Sequence, residues 1–233
     1  MDYKDKFNIL VQGPLGNASL EKLDYYSTLG NVVLSYWNDR EIPEKYQGKA
    51  WIEVGTSSPN IEALIQSGKL QDYWRGTNFY YALNSMYRGL QHCDKPFVVK
   101  VRSDEGYSDL SPLMDSLLEH PEKVFCGNIF HKNSYPGGFH MGDHLFACKT
   151  EDLKAACKLA MSMYEPPNPP EVILAKSLLT VKNQKVTVEA YHEIINAIDI
   201  NEMGDYTAQW VHGHVTFNSI QGVGNLFKLS NFE

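Results

Sequence analysis

The feature that most constrains the fold is a series of short apolar runs separated by segments of helical periodicity. Residues 7–14 read Phe-Asn-Ile-Leu-Val-Gln-Gly-Pro, a nearly continuous apolar run ended by Gly13-Pro14. A run of this kind suits a strand covered on both faces, which is the position of a strand inside a parallel sheet. Leu20, Leu23, Tyr26 and Leu29 then recur at helical spacing behind Asn17 and Ser19, and Gly30 supplies a stop. Residues 31–37 are the next expected strand and residues 50–54 a third, with a charged loop over 38–49 between them. Phe79, Leu83, Met86, Tyr87 and Leu90 mark one helical face within residues 76–93. Residues 96–101 follow as a strand, 110–118 as a helix and 123–130 as a further strand. This repeated β-α-β order predicts an open, mostly parallel sheet flanked by helices.

The second half is less regular. Residues 133–138 read as a loop, 144–148 as a short strand and 150–163 as a helix opening on Thr150-Glu151-Asp152. The run Glu165-Pro166-Pro167-Asn168-Pro169-Pro170 is a rigid break, and Glu171 opens the next helix just behind its proline. From His212 onward the chain reads as an extended segment with glycine turns. A chain of 233 residues buries about 70% of its unfolded surface, enough for one large core, so one domain over 1–233 is expected.

Composition removes several classes. With 43% hydrophobic residues the chain is not disordered, and no apolar run is long enough to span a bilayer. Asp and Glu total 28 against 21 Lys and Arg, a balance unlike that of a protein that coats nucleic acid. An anionic substrate would need local cations or a metal ion to offset the net charge of −7. Cys93, Cys126, Cys148 and Cys157 form no C-x-x-C pair, so they read as reduced, buried thiols. Residues 1–6 are charged and polar with no signal-type apolar segment behind them. The expected location is the cytoplasm, either free or peripheral at a membrane surface.

Ligands of open α/β sheets bind beyond the carboxyl ends of the strands, where strand order reverses. That rule selects Gln12-Gly13-Pro14, Tyr36-Trp37-Asn38-Asp39 and Arg102-Ser103-Asp104-Glu105. In the third, two acids follow a strand that places Lys100 and Arg102 on one face. Such a cluster suits a divalent ion held through one carboxylate and diphosphate oxygens, with arginine as a forked phosphate partner. It suits equally a solvated strand end with Asp104 capping the turn. There is no G-x-x-x-x-G-K-[ST], no G-x-G-x-x-G after the first strand and no G-x-S-x-G. A P-loop enzyme, a dinucleotide dehydrogenase and a serine hydrolase are therefore poor readings.

ILVQGPL at the first strand, NFYYALNSMYRGL on the middle helix, FVVKVRSDEGYSDLSPL and FHMGDHLFACKTEDL together resemble the WavE-like lipopolysaccharide-synthesis proteins, over roughly residues 7 to 180. The K-x-R-S-D run is the most specific element. The resemblance implies a glycosyltransferase of the GT-A type. Its Rossmann-like nucleotide-sugar-binding half would span 7–130, and an irregular acceptor-side half 131–233. It implies a nucleotide-sugar donor, a glycan or glycolipid acceptor and a divalent ion, Mn²⁺ or Mg²⁺.

Enzymes of that type carry Asp-x-Asp at this strand end. Here the triplet is Arg102-Ser103-Asp104, which leaves Asp104 as the expected metal ligand, with Glu105 as an alternative second one. His214, in the H-x-H pair with His212, is the expected C-terminal ligand, unless both are ordinary strand histidines. The resemblance puts the catalytic base at Glu171, with Asp143 as its rival. As plain structure, the first is a helix-opening acid and the second a turn aspartate. Donor contacts are expected from Gln12, Gly13, Trp37, Asp39, Asn84, Arg88, Lys100 and Arg102. Core packing also explains Trp37, and a solvated helix face explains Asn84 and Arg88. Residues 133–143 and 165–171 are the expected acceptor-side loops, with Gly137-Gly138 as a hinge. A non-catalytic nucleotide-sugar- or glycan-binding module of the same fold is the alternative, supported by the replaced first acid. Nucleotidyl transfer would call for a basic loop after the first strand, which Gly13-Pro14-Leu15-Gly16-Asn17 lacks.

Overall fold

The computed structural model describes residues 2–37, 41–47, 49, 51–57, 59–69, 79–128, 139–163, 170–209 and 216–217. In chain order the elements begin with β1 (Phe7–Gln12), α1 (Asn17–Leu20), α2 (Leu23–Leu29), β2 (Asn31–Trp37), β3 (Ile52–Thr56) and α3 (Ile61–Gln66). They continue through α4 (Phe79–Leu90), β4 (Phe97–Arg102), β5 (Glu105–Tyr107), α5 (Ser111–Glu119), β6 (Val124–Gly127) and β7 (Leu145–Lys149). The remainder is α6 (Thr150–Met163), α7 (Pro170–Val181), α8 (Val188–Ile194), β8 (Ile195–Ile198), β9 (Tyr206–Gln209) and β10 (Thr216–Phe217).

Seven strands form one mostly parallel sheet in the order β3-β2-β1-β4-β7-β6-β8, in which β7 alone runs antiparallel to its neighbours. Strand order reverses between β1 and β4, because β2 and β3 are laid down on one side of β1 and β4 on the other. The chain thereby creates a crevice at Gln12 and Arg102, which face each other in the β1–β4 register.

All six residues of β1 are buried, as its apolar run requires. Leu10, Val33, Val98 and Phe146 join one core beneath α4, α6 and α7. Ile9, Val11, Leu34, Val99 and Val101 join the opposite core beneath α2 and α5. This alternation gives three layers, helix on sheet on helix. Helix α7 is apolar nearly all round, and Val172, Ile173, Leu174, Ala175, Leu178 and Leu179 are all buried. All four cysteines are buried, and none is in a disulfide. Burial pushes the Cys93, Cys126 and Cys157 thiols up to about 12, so they serve as small hydrophobes.

Three features differ from the sequence expectation. The helix expected over 20–29 is two pieces, α1 and α2, and Ser19 on α1 reaches across to donate to the Ser103 carbonyl. β5 follows β4 after a two-residue turn and starts a second, antiparallel sheet in the order β10-β9-β5. Residues 183–209, not assigned from sequence, supply α8, β8 and β9.

Candidate active site

One row of polar side chains crosses the strand ends over four adjacent chain segments, buried except at Arg102. Ser35 of β2 is in register with Gln12 of β1, Gln12 with Arg102 of β4, and the Arg102 amide donates to the His144 carbonyl at 3.1 Å just before β7. Strand parity puts these four on the face that carries α4 and α7, one step beyond the row of Leu10, Lys100 and Phe146. The row turns polar where the strands leave the core.

Arg102 is the centre of the row. Its Nε and Nη2 donate to the two oxygens of Asp104 at 2.9 and 2.7 Å, a two-bond fork. Its Nη1 lies 3.2 Å from His144 Nε2. His144 Nδ1 contacts Glu105 Oε1 directly, and Glu105 Oε2 accepts from the Tyr107 hydroxyl at 2.8 Å. The Tyr206 ring packs against Tyr107 with centroids 5.2 Å apart. Burial works against the guanidinium's charge, but the bond to Asp104 and the fields of Glu105 and Asp143 hold it firmly protonated. Burial also works against the Glu105 carboxylate, yet His144, Arg102 and Tyr107 hold its pKa down at about 2.

Glycines let the loops after β1 and β4 touch. Gly13 sits at φ +129°, and a Cβ there would lie 2.8 Å from Ser103 Oγ. A Cβ on Gly16 would lie 2.8 Å from the Asp104 Cα. Ser103 in turn donates from its hydroxyl to the Pro14 carbonyl and from its amide to the Gln12 carbonyl. The Asp104 turn is thus pinned from below by two glycines and two serines.

Asp143 and Glu171 meet at the same crevice. Asp143 Oδ1 lies 3.7 Å from His144 Nε2, and the Asp143 carbonyl accepts from the buried Lys100 ammonium. Glu171, in the first turn of α7, lies 3.8 Å from His140 Nε2. Burial would raise the Asp143 carboxyl, but His144, Lys100 and Arg102 outweigh it and the net direction is down. Glu171 goes the other way, raised by burial and by the charge of Asp143. Three of these groups keep an open surface: Arg102 is 31% exposed, Asp143 27% and Glu171 22%, whereas Asp104 is 1% exposed.

The other expected donor residues lie as follows. Gln12 is buried and its amide donates to Ser85 Oγ of α4 at 2.5 Å, so that N–H is committed inside the fold. Gly13 is buried against Ser103 rather than offered to a ligand. Trp37 is buried edge-on against Tyr81, with centroids 5.8 Å apart. Lys100 is buried one row below Arg102, over the Phe146 ring, where it holds the Asp143 backbone and does not reach the crevice surface. Burial lowers its pKa despite the opposing charge of Asp143.

Asn84 and Arg88 bond to each other at 2.9 Å on α4. Tyr81 of that helix meets Trp37, Ser85 meets Gln12, and Gly89 packs on Leu10, so the helix descends from the strand ends. Arg88 is exposed at the level of Leu10 and is thereby carried away from the crevice. Asp39, His212, His214 and Gly137-Gly138 lie outside the described residues.

Sequence reasoning did not select His144, His140 or Ser85. The signal for His144 was its even spacing from Phe146 and Cys148 on a buried strand, which puts an imidazole on the face of Arg102. Ser85 and His140 left no such signal, since they depend on helix placement.

A divalent ion fits these residues poorly. Such an ion binds through one or two carboxylates plus phosphates and water. Both Asp104 oxygens are tied to Arg102, and both Glu105 oxygens are tied to His144 and Tyr107. Among the described residues no group of three His, Cys, Asp or Glu side chains is arranged to hold a metal ion. No helix among them is long and apolar enough to cross a membrane.

No protein-family model matches the chain, and no curated protein matches it. Among solved structures it is similar to the glycosyltransferase GlyE of Streptococcus pneumoniae TIGR4, at 9% identity and a TM-score of 0.47. That likeness covers 84% of this chain but only 45% of the other, so this chain spans less than half its length. Glucosyl-3-phosphoglycerate synthase of Mycobacterium tuberculosis, solved with Mn²⁺, UDP and phosphoglyceric acid, is similar at 10% identity and 0.47, covering 97% of this chain and 75% of that one. A 4-diphosphocytidyl-2C-methyl-D-erythritol synthase of Anaerococcus prevotii is similar at 8% identity and 0.49, covering 98% and 99%. Likeness at this level bears on neither substrate nor mechanism, which rest on the chain's own residues.

Proposed function

We propose that the chain is a glycosyltransferase that takes a sugar from a nucleotide-sugar donor and passes it to a glycan or glycolipid acceptor. The observation that carries this reading is the convergence of one fixed cation, Arg102, with two oppositely tuned acids, Asp143 and Glu171, at the reversal of strand order. Sugar transfer needs both services, charge to meet the departing diphosphate and a base for the acceptor hydroxyl. Acids whose environments push their pKa values apart divide such labour. Glu171, whose carboxyl is raised by burial and by Asp143, is the base in this reading, and Asp143, whose carboxyl is held down, lies beside the reacting sugar. The WavE-like resemblance of residues 7 to 180 points the same way. Divalent-ion dependence is left out of the reading, because the strand-end carboxylates are already engaged.

A second reading is a binding module of the same fold without catalysis. The Arg102 fork on Asp104 favours it, since a carboxylate so neutralised does no metal chemistry. One experiment separates the two. UDP-, GDP-, CMP- and dTDP-sugars are screened by calorimetry, and release of the nucleotide is followed with and without glycan acceptors. A transferase binds one nucleotide class and turns it over. Glu171→Gln keeps donor affinity and loses turnover by about 10²- to 10⁴-fold. Binding with no turnover under any acceptor establishes the module instead.

A further inference from the structure

We propose that this site holds the donor's diphosphate with Arg102 as its cation and takes no divalent ion. The inference rests on the sugar-transfer reading above and deepens it by naming what neutralises the leaving group.

Three observations carry it. First, the position that an incoming ion would share with Asp104 is filled by a guanidinium bonded at 2.9 and 2.7 Å. A divalent ion there would meet the charge of the Arg102 guanidinium. Second, the Arg102 guanidinium is fixed rather than free to swing aside. Asp104 holds its Nε and Nη2, and His144, itself anchored by Glu105, holds its Nη1. Gly16 brings the loop after β1 onto the Asp104 backbone, and Asp104 is 1% exposed. Third, arginine has five N–H donors, and the bonds to Asp104 and His144 use three. One remains on each terminal nitrogen, on a side chain 31% exposed at the crevice. Two N–H groups on one planar cation match two oxygens of a diphosphate.

The transfer balances without a further ion. The bond from the anomeric carbon to the diphosphate oxygen breaks, and its electron pair stays on that oxygen, facing Arg102. The acceptor oxygen bonds to the anomeric carbon, and its proton passes to the Glu171 carboxylate.

The test titrates wild-type protein with pyrophosphate, UDP, GDP and CDP by calorimetry, in EDTA and again in Mn²⁺. The expected result is one nucleoside diphosphate bound with the same Kd in both buffers, to within about threefold. Arg102→Met is expected to weaken it on the order of 10- to 100-fold, and Arg102→Lys, which keeps charge but not the fork, by less. Should Arg102→Met not fold, the wild-type comparison alone decides the matter. Binding at least about tenfold tighter in Mn²⁺ overturns the inference and leaves the sugar-transfer reading standing. Unchanged affinity in Arg102→Met also overturns it. No binding of any nucleoside diphosphate in either buffer removes the reading itself, and the inference with it.

Discussion

His144 Nδ1 and Glu105 Oε1, from positions 39 residues apart, share a buried hydrogen bond that ties the main sheet to the small antiparallel one. Its other ring nitrogen, Nε2, lies 3.2 Å from Arg102 Nη1, so the imidazole stands between the buried carboxylate and the guanidinium. A single imidazole therefore couples the charge of Glu105 to the orientation of Arg102.

Removing the imidazole leaves a buried charge without its main partner. His144→Ala is expected to cost about 3–5 kcal/mol of stability in urea unfolding. Adding Glu105→Gln to that variant is expected to recover part of the loss, because an uncharged amide is less costly to bury alone. The two losses adding without coupling would show that the residues do not act as a pair.

The same carboxylate sets an acid limit. Glu105 has a folded-state pKa of about 2 against an ordinary 4.5. A depressed carboxyl contributes stability that is fully present above the unfolded value and lost as pH falls through the folded one. The contribution, on the order of 3 kcal/mol, is therefore expected to disappear between about pH 4.5 and 2. Urea unfolding over that range measures it. Glu105→Gln is expected to flatten the slope, and an unchanged slope would assign the acid sensitivity to other groups.

The glycine clasp under Asp104 is sensitive to one methyl group. Gly13→Ala places a Cβ at φ +129°, 2.8 Å from Ser103 Oγ. It is expected to cost about 1–3 kcal/mol in backbone strain and to weaken donor binding through the displaced strand-end loop. Gly68, also at positive φ but with open space around it, supplies the control. Gly68→Ala is expected to lower stability and leave donor affinity unchanged, as read by thermal unfolding and calorimetry.

Glu171 is raised by burial and by Asp143, so its carboxyl is expected to titrate above 4.5 when followed by carbon NMR of labelled protein. Asp143→Asn removes one of the two causes and is expected to move that titration to lower pH. In transfer assays the rate is expected to fall as pH drops through the Glu171 value, since a protonated base takes no proton. An Asp143→Asn titration that does not move would separate the two acids.

Most of the sheet was legible because its strands are apolar over whole runs, and burial on both faces leaves that signature in residues 7–11 and 97–101. The reversal of β7 was not, since an antiparallel buried strand such as 145–149 has the same composition as a parallel one. Arg102, Asp104, Asp143 and Glu171 could be singled out from their places at strand ends and a helix start. Their pairing could not. Whether Asp104 is open to a ligand or clasped by Arg102 depends on a two-residue turn whose shape is set by Gly13 and Gly16, ninety residues earlier. Arg88 misled for a related reason. Its spacing from Asn84 is right for a shared face, but which end of α4 lies near the strand ends depends on the contacts of Tyr81, Ser85 and Gly89.

In the sugar-transfer reading the donor's diphosphate lies against Arg102, where β1 and β4 end. The most direct test is a crystal structure of the chain with the nucleoside diphosphate that the screen selects, grown in EDTA. The diphosphate is expected over the ends of β1 and β4, with phosphate oxygens about 3 Å from the terminal nitrogens of Arg102. A nucleotide bound elsewhere, or one that reaches the crevice with Arg102 turned away from its phosphates, would contradict it.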